Sequence, residues 1–138
     1  MGEAIIRQEA HGRPTTGGGV KLAIVGSVLL AGNREAQCII EQALDEWRPD
    51  VVISGGAKGI DSMAVAEARK RGIVCVEHLP KTREWATGFA PRNRLIAQDC
   101  DALVRIVAQG AKTYGSGWTR DRAEEMGKPT QQFVVILA

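Results

Sequence analysis

Five short apolar runs alternate along this chain with stretches whose apolar residues recur at helical spacing. The runs are "LAIV" ending at Gly26, "VVIS" from Val51, "IVCVEHL" from Ile73, "ALVRIV" from Ala102 and "QQFVVIL" from Gln131. Each is apolar at nearly every position, so a strand built from it has no face to give to water. Between the first two, "NREAQCIIEQALDEW" sets Ala36, Ile39, Ile40, Ala43, Leu44 and Trp47 on one helical stripe, with Asn33 as N-cap and Pro49 as stop. "GIDSMAVAEARKRG" predicts a second helix closed by Gly72. "RNRLIAQDC", after the irregular "KTREWATGFAP", predicts a third, and "WTRDRAEEMG", after the glycine-bearing loop "AQGAKTYGSG", a fourth. Buried strands alternating with helices specify an α/β fold: a Rossmann-like, doubly wound parallel sheet of about five strands with helices on both faces. In such sheets ligands sit outside the carboxyl ends of the strands.

The 138 residues suit one domain over residues 21–138. Residues 1–20, with Pro14 and three glycines at 17–19, read as a flexible N-terminal lead-in. No basic stretch followed by an apolar run opens the chain, and no apolar run nears the roughly 18 residues of a membrane span. The expectation is a cytoplasmic protein without membrane contact. Cys38, Cys75 and Cys100 are widely spaced and odd in number, which argues against disulfides or a zinc site, and the apolar neighbours of Cys38 and Cys75 predict buried thiols there. His11 and His78 lack the company a metal site needs, so no metal is expected. Residues 81–138 carry nine basic and six acidic side chains against nine and ten in residues 1–80, a tilt too mild for a duplex-DNA binder.

The unusual residues gather at the carboxyl ends of the predicted strands. Gly26 and Ser27 follow the first strand; Ser54, Gly55, Gly56, Ala57, Lys58 and Gly59 follow the second. The stretch from Thr113 to Thr119 follows the fourth. A glycine-rich turn leading into a helix brings backbone N–H groups and the positive end of a helix dipole to one place, which suits a phosphate. The loop "SGGAKG" matches neither the dinucleotide fingerprint nor the P-loop, and a tight turn needing positive φ explains its glycines equally well. Asp61, in the first turn of the next helix, complements the dipole or accepts from a ribose. "PRNR" puts Arg92 and Arg94 about Asn93 where cations oppose the helix dipole. A bound anion resolves that conflict, as does pairing with Glu84 or Asp99. Trp85 suits either base stacking or packing. Gly115, Ser116, Gly117 and Thr119 offer further donors, with Asp121 one turn on. No nucleophile–base pair stands out.

Together "KLAIVGS", "VVISGGAKGIDSMAVAEARKRGI", "REWATGFAPRNRLIAQDCDALVRI" and "GSGWTRD" resemble the SLOG superfamily, which joins the Smf/DprA DNA-processing proteins and the LOG nucleotide hydrolases. Within it the pattern lies closest to the small standalone YspA/YpsA-like branch, over roughly residues 21–137. The resemblance implies a Rossmann-like domain, commonly a homo-oligomer, whose ligand is a nucleotide or nucleotide derivative. It implies a site lined by Gly26, Ser27, residues 55–59, Asp61, Arg92, Asn93, Arg94, Gly117, Thr119 and Asp121. The chain departs from the pattern at "GSVLL", which lacks the polar and aromatic residues of that turn, and at Trp118, where the pattern has glycine. The glutamate position of the LOG hydrolases holds Arg122, leaving Asp121 as the candidate catalytic carboxylate. Three functions follow as expectations: a nucleotide-binding sensor or processing enzyme, a DprA-like single-stranded DNA binder, and a nucleoside 5′-monophosphate phosphoribohydrolase.

Overall fold

A computed structural model describes residues 5–11, 19–112 and 114–137. The elements run β1 (Ile5–His11), β2 (Lys21–Gly26), α1 (Arg34–Trp47), β3 (Val51–Ser54), α2 (Ile60–Lys70), β4 (Val74–Glu77), α3 (Ala90–Asp99), β5 (Ala102–Ala108), α4 (Tyr114–Glu125) and β6 (Thr130–Ile136). A single 3-10 turn, Val28–Leu30, follows β2, and a turn of π-helix, Trp85–Phe89, runs straight into α3. The sheet order is β1-β6-β5-β2-β3-β4. The five expected strands, β2 to β6, pair in parallel.

A sixth strand corrects the reading of residues 1–20 as flexible throughout. β1 lies antiparallel to β6, with Ile5 opposite Ile136 and His11 opposite Thr130. The rest of that segment, residues 1–4 and 12–18, lies outside the described residues.

The chain enters the parallel sheet at β2, builds outward through β3 and β4, and then returns to the other side of β2 for β5 and β6. This reversal divides the helices between two faces. On one face Leu22, Ile24, Val52, Val104 and Ile106 pack under α1 and α2, against Ile39, Ile40, Leu44, Trp47, Ile60 and Ala64. On the other, Ala23, Val25, Ile53 and Leu103 meet Ile96, Ala97 and Cys100 at α3 and Ala123 of α4. Each aliphatic side chain buried this fully contributes about 1.5–3 kcal/mol. The stripe read for α1 is the one that buries, and Asn33 caps it, its side-chain oxygen accepting from Ala36 N at 2.8 Å. Trp47 closes the stripe, its indole N–H donating to Gln131 at 3.2 Å.

α4 starts earlier than expected. Gly115, Ser116 and Gly117, read as loop, form its first turns. Thr119 steadies that start by donating its hydroxyl to the Gly115 carbonyl at 2.8 Å. Thr113, also part of the expected loop, lies outside the described residues. None of the described helices is long and apolar enough to cross a membrane.

Candidate functional site

The sheet reverses its winding between β2 and β5, and a cleft lies beyond the carboxyl ends of these strands. Its volume is about 450 Å3. The turn after β2 forms one wall with Gly26, Ser27, Val28 and Leu29, and Trp85, Phe89, Arg92 and Asn93 form another. Ala111, Lys112, Gly115 and Ser116, beyond β5, complete it. A smaller recess of about 90 Å3 shares Gly26, Arg92, Asn93, Gly115 and Ser116 with the cleft and reaches Ala57, Asp61 and Thr119.

Close backbone approach explains two of the glycines. A Cβ on Gly26 would stand 1.9 Å from the Ile106 carbonyl oxygen, where β2 and β5 pair. Gly59 has φ +79°, and its Cβ would meet Ser27 O at 2.5 Å and Val28 Cα at 2.6 Å. The start of α2 is thus pressed directly beneath the turn after β2. Ser27 is buried in the same joint: its N–H donates to Ile106 O at 3.0 Å, and its hydroxyl accepts from Ala108 N at 3.1 Å. Ser27 therefore ties two strands together at the cleft floor.

The loop after β3 closes on its own side chains. One oxygen of Asp61 accepts from Gly55 N at 3.2 Å and Ala57 N at 3.3 Å, and the Ser54 hydroxyl accepts from Gly56 N at 3.1 Å. The N–H groups expected to cradle a phosphate are thus engaged within the loop. Lys58 is exposed, and neither Lys58 nor Gly59 lines the cleft. Asp61 is the organiser of this loop. It is only 6% exposed, and burial pushes its carboxyl up to about 6 despite the N–H groups of Ala57 and Gly55 and the nearby Arg92 cation, which pull it down.

Arg92 is the principal cation of the cleft. It donates from one terminal nitrogen to the Gly55 carbonyl and from Nε to Asn93 Oδ1 at 2.6 Å. Its guanidinium also stands 5.5 Å from the Phe89 ring centre. Burial pulls its pKa down from the ordinary arginine value, and Asp61 opposes that shift. Asn93 is buried, its Nδ2 reaching the Gly115 carbonyl at 3.4 Å, and thereby joins α3 to α4. A Cβ on Gly115 would meet Asn93 Nδ2 at 3.5 Å and the Trp85 ring at 4.0 Å, ordinary van der Waals contacts, so the wall has room for a methyl there. The Ser116 hydroxyl accepts from Arg105 Nε at 2.9 Å.

Arg94 and Asp121 fall outside the cleft. Neither arginine of "PRNR" pairs with Glu84 or Asp99; Asp99 is held by His78 at 3.0 Å and Lys21 at 3.3 Å. Arg94 stacks over Trp118 at 5.7 Å. Asp121 is exposed on α4 and lines neither the cleft nor its recess. Gly117 likewise stands back, its Cα directed at Arg105, where a Cβ would meet the guanidinium at 3.3 Å.

Five lining residues were not among the sequence candidates: Val28, Leu29, Phe89, Ala111 and Lys112. Lys112 carried a usable signal, a cation in the glycine-bearing segment just past a buried strand. Among the described residues it pairs with no carboxylate. No carboxylate lines the main cleft, and no group of three or more His, Cys, Asp or Glu side chains capable of holding a metal occurs among the described residues.

No family model matches the sequence, and no curated protein does. Among solved structures the chain is similar to DNA processing protein A (DprA) from Streptococcus pneumoniae, with a TM-score of 0.58 and 28% identity. The similarity covers 79% of this chain and 48% of that one, so the match spans about half of the neighbour. It supports the α/β Rossmann-like fold and the Smf/DprA side of the resemblance, without reaching the YspA-like branch.

Proposed function

We propose that this chain binds a phosphorylated nucleotide, or a nucleotide derivative, in the cleft between β2 and β5. The observation that carries this reading is the lining: two cations, Arg92 and Lys112, two aromatic rings, Trp85 and Phe89, and, among the described residues, no carboxylate. A volume of about 450 Å3 falls within the range of small-molecule sites. Arg92 is already oriented by Gly55 and Asn93, so a phosphate meets a guanidinium whose ordering cost has been met by the fold. Trp85 offers a ring for a base, a contact of about 1–3 kcal/mol in nucleic-acid sites. Val28 opens a 3-10 turn, and the first N–H groups of such a turn have no acceptor within it, which suits a phosphate oxygen.

Binding is favoured over N-glycosidic cleavage. The hydrolase reading needs a carboxylate beside the ribose. Asp121 is exposed away from the cleft, and Asp61 has one oxygen committed to two loop N–H groups. A sensor, or an enzyme whose reaction does not use Asp121, fits better.

A second reading, single-stranded DNA, is supported by the likeness to DNA processing protein A and by a basic, aromatic surface beside the cleft. Trp118 meets Trp85 edge-on at 5.4 Å, and Arg94 and Arg122 lie over its ring at 5.7 and 4.8 Å. Stacking platforms flanked by cations suit a flexible strand. Self-association, which the resemblance implies, belongs to the same proposal and is read by sedimentation velocity.

Thermal unfolding against mono-, di- and cyclic nucleotides and ADP-ribose tests the first reading. A ligand present at 100 times its dissociation constant adds about 2.7 kcal/mol. Stabilisation by at least one is expected; none, in well-folded protein, overturns it. Anisotropy of a labelled oligonucleotide at two salt concentrations separates the second, because strand binding falls steeply with salt.

A further inference from the structure

A second cavity, of about 480 Å3, lies across the first turn of α3 from the cleft, and Arg92 lines both. The π-helical turn is the partition. Trp85 and Phe89 line the cleft, while Ala86, Thr87 and Gly88 line the second cavity. That turn is tightly seated, since a Cβ on Gly88 would stand 1.9 Å from the Thr82 carbonyl oxygen. Such π-turns recur at functional sites.

Two kinds of surface meet there. Leu79 and Leu95 are 65% and 49% exposed and line the cavity together with Pro91. Lys81, Arg92 and Arg94 line the same space, and among the described residues no carboxylate does. Among the described residues neither Lys81 nor Arg94 pairs with a carboxylate. Arg94 is instead steadied over the Trp118 ring. Single exposed leucines are ordinary on a protein surface. Two in one concave space with three cations form a surface of definite chemistry.

We propose that this cavity is a second binding site, for a small organic anion with an apolar body. Its acidic group is held by Lys81 and Arg94, and its apolar part covers Leu79 and Leu95. An inorganic ion leaves the leucines in water, and an uncharged apolar molecule covers the cations without pairing them. The inference stands apart from the cleft reading, because Trp85, Phe89 and Lys112 do not line this cavity.

The test is a fluorescence and calorimetric titration of the full chain with 1-anilinonaphthalene-8-sulfonate, a probe with one sulfonate on an aromatic body. Circular dichroism and a cooperative melt establish that each protein is folded. One probe molecule per chain is expected. Leu95→Asp abolishes its binding, and the double variant Lys81→Ala/Arg94→Ala weakens it about tenfold or more. Leu29→Asp, at an exposed apolar residue that lines only the cleft, leaves the affinity unchanged. The proposal is overturned if folded wild-type protein binds no probe, or if the double variant binds it as wild type does. It is equally overturned if Leu29→Asp weakens binding as much as Leu95→Asp. Should Leu95→Asp fail to fold, the double variant decides, since both of its side chains are exposed.

Discussion

Gly56 and Gly59 both hold positive φ, 73° and 79°, yet substitution separates them. A Cβ on Gly59 meets backbone, Ser27 O at 2.5 Å and Val28 Cα at 2.6 Å, which cannot yield without opening the cleft floor. At Gly56 it meets Leu79 Cδ2 at 2.5 Å, the end of a mobile, mostly exposed side chain. Gly56→Ala should therefore cost about 1–2 kcal/mol, the ordinary penalty of a left-handed conformation. Gly59→Ala should cost more than about 4 kcal/mol or prevent folding. Urea midpoints decide between these, and equal losses would contradict the packing described. A valine at Gly56 acts through the loop and Leu79 before it touches any ligand. Asp61 gives a second residue-scale prediction. Its folded pKa of about 6 lies above the ordinary aspartate value of 3.8, so its proton is held more tightly in the folded state. The stabilisation from that proton is complete below about pH 4 and is lost as pH rises through about 6. The loss is on the order of 3 kcal/mol. Asp61→Asn can keep an oxygen for both loop N–H groups and does not titrate. Its denaturation curve should stay flat between pH 4 and 7 where the wild type declines; parallel curves would refute the buried, raised carboxyl.

At the scale of elements, α1 is the helix most fully determined by local sequence, with cap, stripe and stop all in place. Asn33→Ala should cost about 1 kcal/mol, measured by chemical denaturation, with the helix retained. No loss at all would mean that the Asn33–Ala36 bond is not maintained in solution. The parallel strands were legible because each is a continuous apolar run; β2, β3, β5 and β6 are buried along most of their length, whereas the edge strand β4 stays half exposed, with Val74 62% exposed. β1 was not legible, because the Pro14 and glycine signals beside it dominated the reading, while its pairing partner β6 lies at the other end of the chain. The early start of α4 escaped for a related reason. Gly115 and Gly117 weaken helix propensity locally, and the closeness of the Arg105 guanidinium, 3.3 Å from a Cβ at Gly117, is visible only in the fold. The loop after β3 was recognised as special, but its hydrogen bonds were not readable from its letters. Asp61 takes the N–H groups of Gly55 and Ala57 and Ser54 takes that of Gly56, three-dimensional facts about two buried side chains.

Across the whole molecule, the reversal of sheet winding at β2 brings Arg92, from α3, into one cleft with Lys112 and Trp85. Sequence reasoning pointed to the same edge of the sheet and singled out Arg92, which lines the cleft there. It assigned the phosphate to the second glycine loop, where the loop's own side chains already satisfy the backbone. The central claim is that Arg92 is the oriented cation of a nucleotide-binding cleft. Isothermal titration of the nucleotide that most stabilises the wild type, repeated on Arg92→Ala, tests it most directly. A charge-assisted hydrogen bond is worth about 1.5–3 kcal/mol, so affinity should fall about tenfold or more. The variant should remain folded by circular dichroism, with only a modest loss of stability from the freed Gly55 carbonyl. Equal affinities of wild type and Arg92→Ala would place the ligand elsewhere and contradict the account.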